Sequence, residues 1–148
     1  MRKVTIMGID YNHIEKAKKL IEVGYSIVLV SDDFKRIENL KNGIYNEEEK
    51  KLLEGESQKE NLLFTYDLAW ALANTNMCHI EEDCERRTTS KVEIARRIGE
   101  NINQHIFIVD NTKSAVTDKK DIEELIQEEL LKRNKITTFE VVANPPLF

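Results

Sequence analysis

The sequence predicts an α/β fold, namely a doubly wound parallel sheet of six strands with helices on both faces, in three layers. Short apolar runs alternate with longer amphipathic segments throughout residues 1–148, which is the order that right-handed crossover connections produce. Several of the runs are continuously apolar, as in strands that are covered on both faces. Glycine and acidic residues stand between the two kinds of segment, where helices end and begin. We therefore expect one domain over 1–148.

The first half of the chain contains three of the predicted strands. These strands are residues 3–8, 26–30 and 62–65, and each is short and apolar. The helices that accompany them are an amphipathic segment ending at Gly24, a segment from Phe34 to a stop at Asn42-Gly43, and a short segment around 47–53.

The second half continues the alternation of strands and helices. Its predicted strands are residues 77–80, 105–109 and 137–142. Its predicted helices are residues 67–73, with Asp67 as the capping residue, 90–102 and 121–133. The leading prediction for the sheet is the Rossmann-like strand order 3-2-1-4-5-6. A flavodoxin-like order is the alternative, which hydrophobic periodicity alone does not exclude.

Composition narrows the classes of function. A hydrophobic fraction of 41% with 33% charged residues is typical of a soluble globular protein, and no apolar run reaches the ~18 residues of a membrane span. The N-terminus passes directly into an apolar strand without the pattern of a secretory signal, so we expect a cytoplasmic protein. The net charge of −5 argues against nucleic acid as a partner, because nucleic-acid affinity depends on clustered Lys and Arg.

The cysteines and two notable aromatic residues carry no clear functional motif. Cys78 and Cys84 are too far apart for a redox pair, and no second cysteine pair completes a zinc site. We expect two free thiols and no metal. His79 lies inside a predicted strand and is expected to be a structural histidine. Tyr66 and Trp70 flank a helix start and are expected in the core or at its boundary.

Four segments, spread over nearly the whole chain, carry motifs that occur together in one known family. The first turn, Gly8-Ile-Asp-Tyr-Asn-His13, is similar to G-x-G-Y-V-G, and residues 61–67 are similar to L-R-F-T-T-D. Residues 92–100 form a characteristic helix before the fifth strand, and residues 142–148 are similar to S-N-P-E-F-L. In order and spacing these segments resemble the N-terminal domain of the UDP-glucose/GDP-mannose dehydrogenase family. The resemblance implies a Rossmann-type NAD-binding domain.

The first turn departs from the dinucleotide-binding pattern at two of its three glycines. Such a turn needs its second Gly for close approach of the pyrophosphate and its third for close packing of helix on strand. Asp10 and His13 occupy these two positions. A carboxylate about 4 to 5 Å from a phosphate oxygen costs roughly 3 to 4 kcal/mol at an effective dielectric near 20. Binding would be weakened on the order of several hundredfold.

Other cofactor positions implied by the resemblance are also altered. The acidic residue that binds the adenosine ribose falls on Ser31, with Asp32 one place later. Residues 81–84 replace the V-G-T-P loop after the fourth strand, and Thr112 is among the few matches in the loop after the fifth. The candidate cofactor-binding residues are therefore a degenerate set, namely Gly8, Asp10, Tyr11, His13, Ser31, Asp32 and Thr112. We expect no cofactor, with NAD as the alternative.

The resemblance also implies where catalysis would take place. In the family, a glutamate of the N-P-E-F-L segment assists catalysis, and a downstream cysteine forms the covalent intermediate with a lysine nearby. The glutamate position is Pro146 in this sequence, and the sequence given ends at Phe148. We therefore expect no catalytic residue within 1–148, and we expect this chain by itself not to be an enzyme.

Carboxylates gather at the predicted carboxyl ends of the strands, which form the ligand edge of such a sheet. These residues are Asp10, Asp32, Asp33, Glu81, Glu82, Asp83 and Asp110. The leading interpretation is that several of them cap helices. The alternative is a site for a divalent cation or a basic partner.

The sequence supports three hypotheses about function. The leading one is a degenerate, non-catalytic homologue of the NAD-binding domain of UDP-sugar dehydrogenases, acting as a regulatory or interaction domain. The second is an NAD(H)-binding module of a split UDP-sugar dehydrogenase that another chain completes. The third is an acidic-cleft binder of cations or basic partners. A protein partner or homodimer is expected at the C-terminal edge strand and the apolar tail Pro145–Phe148.

Overall fold

The central feature of the fold is one six-stranded parallel sheet. A computed structural model of the chain describes residues 2–53, 60–81, 91–111 and 121–142. The strands are β1 (Lys3–Met7), β2 (Ser26–Val30), β3 (Leu62–Thr65), β4 (Met77–Ile80), β5 (Ile106–Asp110) and β6 (Phe139–Val142). Their order is β3-β2-β1-β4-β5-β6, and every neighbouring pair is parallel. The predicted Rossmann-like order is therefore confirmed over the flavodoxin-like alternative.

Six helices connect the strands. They are α1 (Tyr11–Glu22), α2 (Phe34–Lys41), α3 (Glu47–Leu53), α4 (Leu68–Asn74), α5 (Lys91–Asn101) and α6 (Ile122–Lys132). The predicted elements agree with these bounds within two residues. None of the helices in the described ranges has both the length and the apolar character needed to cross a bilayer.

Two separate apolar cores, one on each face of the sheet, produce the three layers. On one face, α1, α2 and α3 pack on β1, β2 and β3 around side chains such as Ile6, Leu29 and Ile37. On the other face, α4, α5 and α6 pack on the sheet around side chains such as Ile98 and Ile108. Strands covered on both sides explain why their sequences are continuously apolar.

Aspartate residues fix the starts of three helices. The side chains of Asp33, Asp67 and Asp121 accept hydrogen bonds from backbone N–H groups three residues later, at 3.1, 3.0 and 3.0 Å. Each bond satisfies one of the N–H groups that a helix start leaves without an intrahelical partner. The predicted capping role of Asp67 is confirmed, and the same role explains part of the predicted acidic rim.

Among the described residues, part of the sheet face opposite α5 and α6 carries exposed side chains, near β5 and β6. Phe107 alternates along β5 with Ile106 and Ile108, which are buried beneath α5 and α6, so the Phe107 side chain lies on the opposite face. Phe107 is 36% exposed, its ring lies edge-on to that of His105 at 5.0 Å, and Nδ1 of His105 hydrogen-bonds the Thr138 hydroxyl at 2.7 Å. Glu140, which pairs with Phe107 in β6, is also exposed. We call these four residues the open flank.

Candidate functional site

The candidate site lies at the carboxyl ends of the strands, beside β1. The strand order reverses there, because the chain proceeds outward from β1 through β2 to β3 and then returns to place β4 on the other side of β1. Ligands of open α/β sheets bind in the crevice at this reversal. The turn after β1 and the ends of β2, β4 and β5 form the described part of the crevice.

The turn after β1 is shaped by Gly8. Its backbone N–H donates to the carbonyl of Val30 at 2.8 Å, and its φ of +136° is a conformation that favours glycine. A Cβ built on Gly8 would stand 2.3 Å from Cε1 and 2.4 Å from Nε2 of His13. The imidazole ring therefore lies directly against the bare face of Gly8.

Asp10 and His13 hold each other at the start of α1. The backbone N–H of Asp10 donates to Nδ1 of His13 at 3.1 Å, and the two residues together form a reciprocal capping box. Because Nδ1 accepts this bond, the neutral ring carries its proton on Nε2. His13 is only 2% exposed. The N–H of Asp10 is thus directed at the protein's own side chain.

An ion pair crosses the crevice between α1 and β4. The Lys16 ammonium contacts the carboxylate of Glu81, and the two side chains are 19% and 11% exposed. The amide of Asn111, at the end of β5, donates to the same carboxylate at 3.1 Å. Lys91 and Asp110 form a second, longer pair at 3.8 Å. The positive charge of Lys16 is therefore already neutralised at the point where an anionic ligand would enter.

His79 lies below this ion pair in β4. Burial, with a further contribution from the Lys16 ammonium, lowers the pKa of His79 to about 4. Nε2 of the ring lies 3.3 Å from Sδ of Met77. His79 is therefore neutral at physiological pH and 1% exposed, as expected for a structural histidine.

Ser31 and Asp32, the positions that the family resemblance assigns to ribose recognition, lie at the end of β2. The Ser31 hydroxyl accepts the backbone N–H of Asp33 at 3.1 Å and so braces the start of α2, while the Asp32 side chain is exposed. Behind this segment, Arg36 contacts the buried carboxylate of Glu49 and donates to the Ile9 carbonyl at 3.4 Å. The Arg36–Glu49 ion pair ties α2 and α3 to the residue that follows Gly8.

Exposed aromatic rings stand along the same edge. Phe34 and Tyr66 are 55% and 50% exposed, and their ring centroids are 4.9 Å apart. Tyr11 and Trp70 are also exposed. Of the two expected positions for Tyr66 and Trp70, core or boundary, their exposures of 50% and 42% agree with the boundary and not with the core.

Comparison with known proteins adds the evolutionary context. No family model matches the chain. UDP-glucose 6-dehydrogenase TuaD of Bacillus subtilis is 26% identical over 98% of the chain, and UDP-glucose 6-dehydrogenase of Pseudomonas aeruginosa is 24% identical over 97%. The predicted resemblance to UDP-sugar dehydrogenases is confirmed. The chain spans about a third of the length of these relatives, 33% and 34% respectively.

Solved structures give the same relationship at the level of the fold. GDP-mannose dehydrogenase of Pseudomonas aeruginosa superposes with a TM-score of 0.66 and 22% identity, over 98% of this chain and 36% of that one. UDP-D-ManNAc dehydrogenase of Pyrococcus horikoshii also gives 0.66, with 14% identity over 95% of this chain and 35% of that one. Both comparisons support the Rossmann-like fold of the dehydrogenase NAD-binding domain.

The fold places some of the candidate cofactor-binding residues next to one another and others apart. Gly8, Asp10 and His13 form one tightly packed unit, with Tyr11 exposed beside it. Ser31 and Asp32 lie at the end of the neighbouring strand, whereas Thr112 lies outside the described residues, as do Glu82, Asp83 and Cys84. Sequence reasoning missed the contacts made by Lys16 and Arg36, because their partners are far away along the chain.

The predicted acidic rim is largely occupied by the protein's own groups. Among the described rim residues, Asp10 and Asp33 cap helices, while Glu81 and Asp110 pair with lysines. Asp32 is exposed. Within the described ranges, no three His, Cys, Asp or Glu side chains are arranged to hold a metal ion. The capping interpretation therefore accounts for more of the rim than a cation site does.

Proposed function

We propose that this chain is a non-catalytic homologue of the NAD-binding domain of UDP-sugar dehydrogenases and acts as a regulatory or interaction domain. The observation that carries the proposal is the His13 ring against Gly8, with its hydrogen bond to the N–H of Asp10. A pyrophosphate needs this surface, because it binds against glycine backbone and the free N–H groups of the helix start. The residues present do not fit a dinucleotide there.

The charges around the turn support the same proposal. The Asp10 carboxylate stands at the amino end of α1, where a phosphate would have to approach it. The nearest described lysine in the crevice, Lys16, is paired with Glu81. Repulsion from Asp10 would therefore not be compensated, and it amounts to roughly 3 to 4 kcal/mol at an effective dielectric near 20.

The thiol chemistry of the described residues points away from catalysis. Oxidation of an alcohol to an acid through a covalent intermediate requires a reactive thiolate. Cys78 is fully buried in the core, and burial raises the pKa of its thiol to about 12. This cysteine is therefore protonated and inaccessible. Cys84 lies outside the described residues.

Calorimetric titration of NAD into the purified chain tests the proposal. We expect no heat of binding at millimolar NAD, and we expect no reduction of NAD when UDP-glucose is added. Oxidation of UDP-glucose by the chain alone would refute the non-catalytic function. A tag-free preparation at pH 7.5 and low salt favours any weak binding and so makes a negative result decisive.

The second candidate is an NAD(H)-binding module of a split dehydrogenase. The observation that favours it is that the chain spans about a third of its dehydrogenase relatives while keeping the complete six-stranded order. This function requires NAD binding, so a micromolar Kd in the same titration would select it. Activity would then require a second polypeptide that supplies the substrate-binding part.

An interaction domain needs a contact surface, and we propose β6 together with the open flank. The strand Phe139–Val142 is an edge of the described sheet, it is apolar except for Glu140, and the adjoining Ile136 is 98% exposed. A second copy of this chain is the partner we propose, because each copy carries the same edge strand and a twofold axis would pair both edges at once. Light scattering after size exclusion should give twice the monomer mass, and a monomer would refute this contact.

A further inference from the structure

We propose that Asp10 and His13 act as an intramolecular block of the diphosphate position in the turn after β1. The inference rests on the proposed function, because it explains why the chain would not bind NAD. It goes further in naming two side chains whose removal should open the turn. Three features of the turn, namely space, hydrogen-bond donors and charge, support it.

The space over Gly8 is taken by the ring. The three atoms nearest to a Cβ built on Gly8 are Cε1, Nε2 and Nδ1 of His13, at 2.3, 2.4 and 2.6 Å. The ring therefore fills the space that the absence of a side chain at Gly8 leaves. The ring is also 2% exposed, so it is enclosed by the protein and does not swing freely into solvent.

The hydrogen-bond donor at the turn is also used. The N–H of Asp10 donates to Nδ1 of His13 at 3.1 Å. Anions bind at helix starts because N–H groups there have no intrahelical partner. The Asp10 N–H already donates to the imidazole nitrogen, so it is not available to a phosphate oxygen.

Contacts other than the capping box also hold the backbone of the turn. Gly8 is held by its own bond to the Val30 carbonyl at 2.8 Å, and Ile9 is held by Arg36 at 3.4 Å. Helix α1 is anchored by the buried side chains of Ile14, Ala17 and Leu20. Removal of the ring and the carboxylate should therefore open the turn without displacing the helix.

Each half of the block should suffice on its own. Asp10→Gly keeps the backbone N–H of residue 10, so the ring stays hydrogen-bonded over Gly8. His13→Gly removes the ring but leaves a carboxylate facing the phosphates. We therefore expect that the double variant Asp10→Gly/His13→Gly gains much more affinity than the two single variants do together.

The experiment titrates NAD, and separately inorganic pyrophosphate, into the wild type and these three variants by calorimetry. We expect the double variant to bind NAD at least about a hundredfold more tightly than the wild type, from the repulsion removed. Circular dichroism verifies folding, and Asp10→Ser/His13→Ala replaces the glycine variant if the latter does not fold. The control is Gln127→Gly, at an exposed position of α6, which should leave binding unchanged.

The possible results distinguish failure of the proposed block at Asp10 and His13 from failure of the proposed non-catalytic function. Micromolar NAD binding by the wild type would overturn both the block and the non-catalytic function. If neither the wild type nor a folded double variant binds NAD or pyrophosphate, the block is refuted while the proposed function stands. Binding by the double variant alone supports the block.

Discussion

The turn after β1 and the open flank depart in opposite ways from what a doubly wound sheet leads one to expect. The fold places a ligand at the turn, yet His13 and Asp10 occupy that place. The fold covers parallel strands on both faces, yet the flank around Phe107 is exposed. On the proposed function, a binding role for this chain belongs to its flank more than to its crevice.

The largest effect should come from Gly8→Ala. The new Cβ would collide with the His13 ring in a φ of +136° that an L-residue rarely adopts. We expect a loss of roughly 3 kcal/mol or more in the free energy of unfolding, measured by urea denaturation. Gly24→Ala is the matched control, because Gly24 has a φ of +103° but no atom within 4 Å of its Cβ position. A Gly8 variant no less stable than the Gly24 variant would show that the ring does not fill the turn.

A second effect concerns pH and His79. The folded pKa of about 4 lies below the ordinary value of 6.5, so the unfolded chain binds the proton more tightly. The contribution of His79 to stability is therefore complete above pH 6.5 and is lost as the pH falls towards 4. The loss amounts to about 3 kcal/mol.

Urea denaturation at a series of pH values measures this dependence. His79→Gln should flatten the slope between pH 6.5 and 4, because the amide that replaces the imidazole does not titrate. Equal slopes for the wild type and His79→Gln would show that His79 is not protected from protonation beneath the crevice.

A smaller effect should follow from breaking the ion pair that crosses the crevice. Lys16→Met leaves Glu81 largely buried without its cation, and we expect a loss of about 2 kcal/mol in the free energy of unfolding. The double variant Lys16→Met/Glu81→Leu should recover most of it, because neither charge is then left unpaired. Thermal and urea denaturation both measure the cycle. A purely additive cycle would contradict the contact.

The smallest effect on stability should come from the open flank. Phe107→Ser removes a ring that is 36% exposed and lies edge-on to His105, so we expect a loss of about 1 kcal/mol in the free energy of unfolding. The same substitution should convert a dimer into a monomer in light scattering. A variant that remains a dimer would remove the flank from the proposed contact surface.

The elements of the fold could be predicted because each depends on local pattern. A continuous apolar run marked β2 to the residue, a short mixed run marked β4, and Asp67 marked the start of α4. The site could be predicted less completely. Glycine loss at positions 10 and 13 identified the altered turn, but the local sequence does not reveal that the His13 ring turns back onto Gly8.

Contacts between distant residues were beyond sequence reasoning. Lys16 and Glu81 meet only because β4 crosses back beside β1, and Arg36 meets Glu49 only because α3 folds against α1 and α2. Both pairs join charged residues that, by sequence alone, belong to solvated helix faces and loop ends. A carboxylate at the end of a strand therefore indicates a ligand site only after its intramolecular partners are known.

A crystal structure of the wild-type chain grown with millimolar NAD is the most direct test of the closed turn. We predict that Nδ1 of His13 accepts the Asp10 N–H, that the ring covers Gly8, and that no dinucleotide lies over the turn. A diphosphate seated against Gly8 at full occupancy, with His13 displaced, would contradict this.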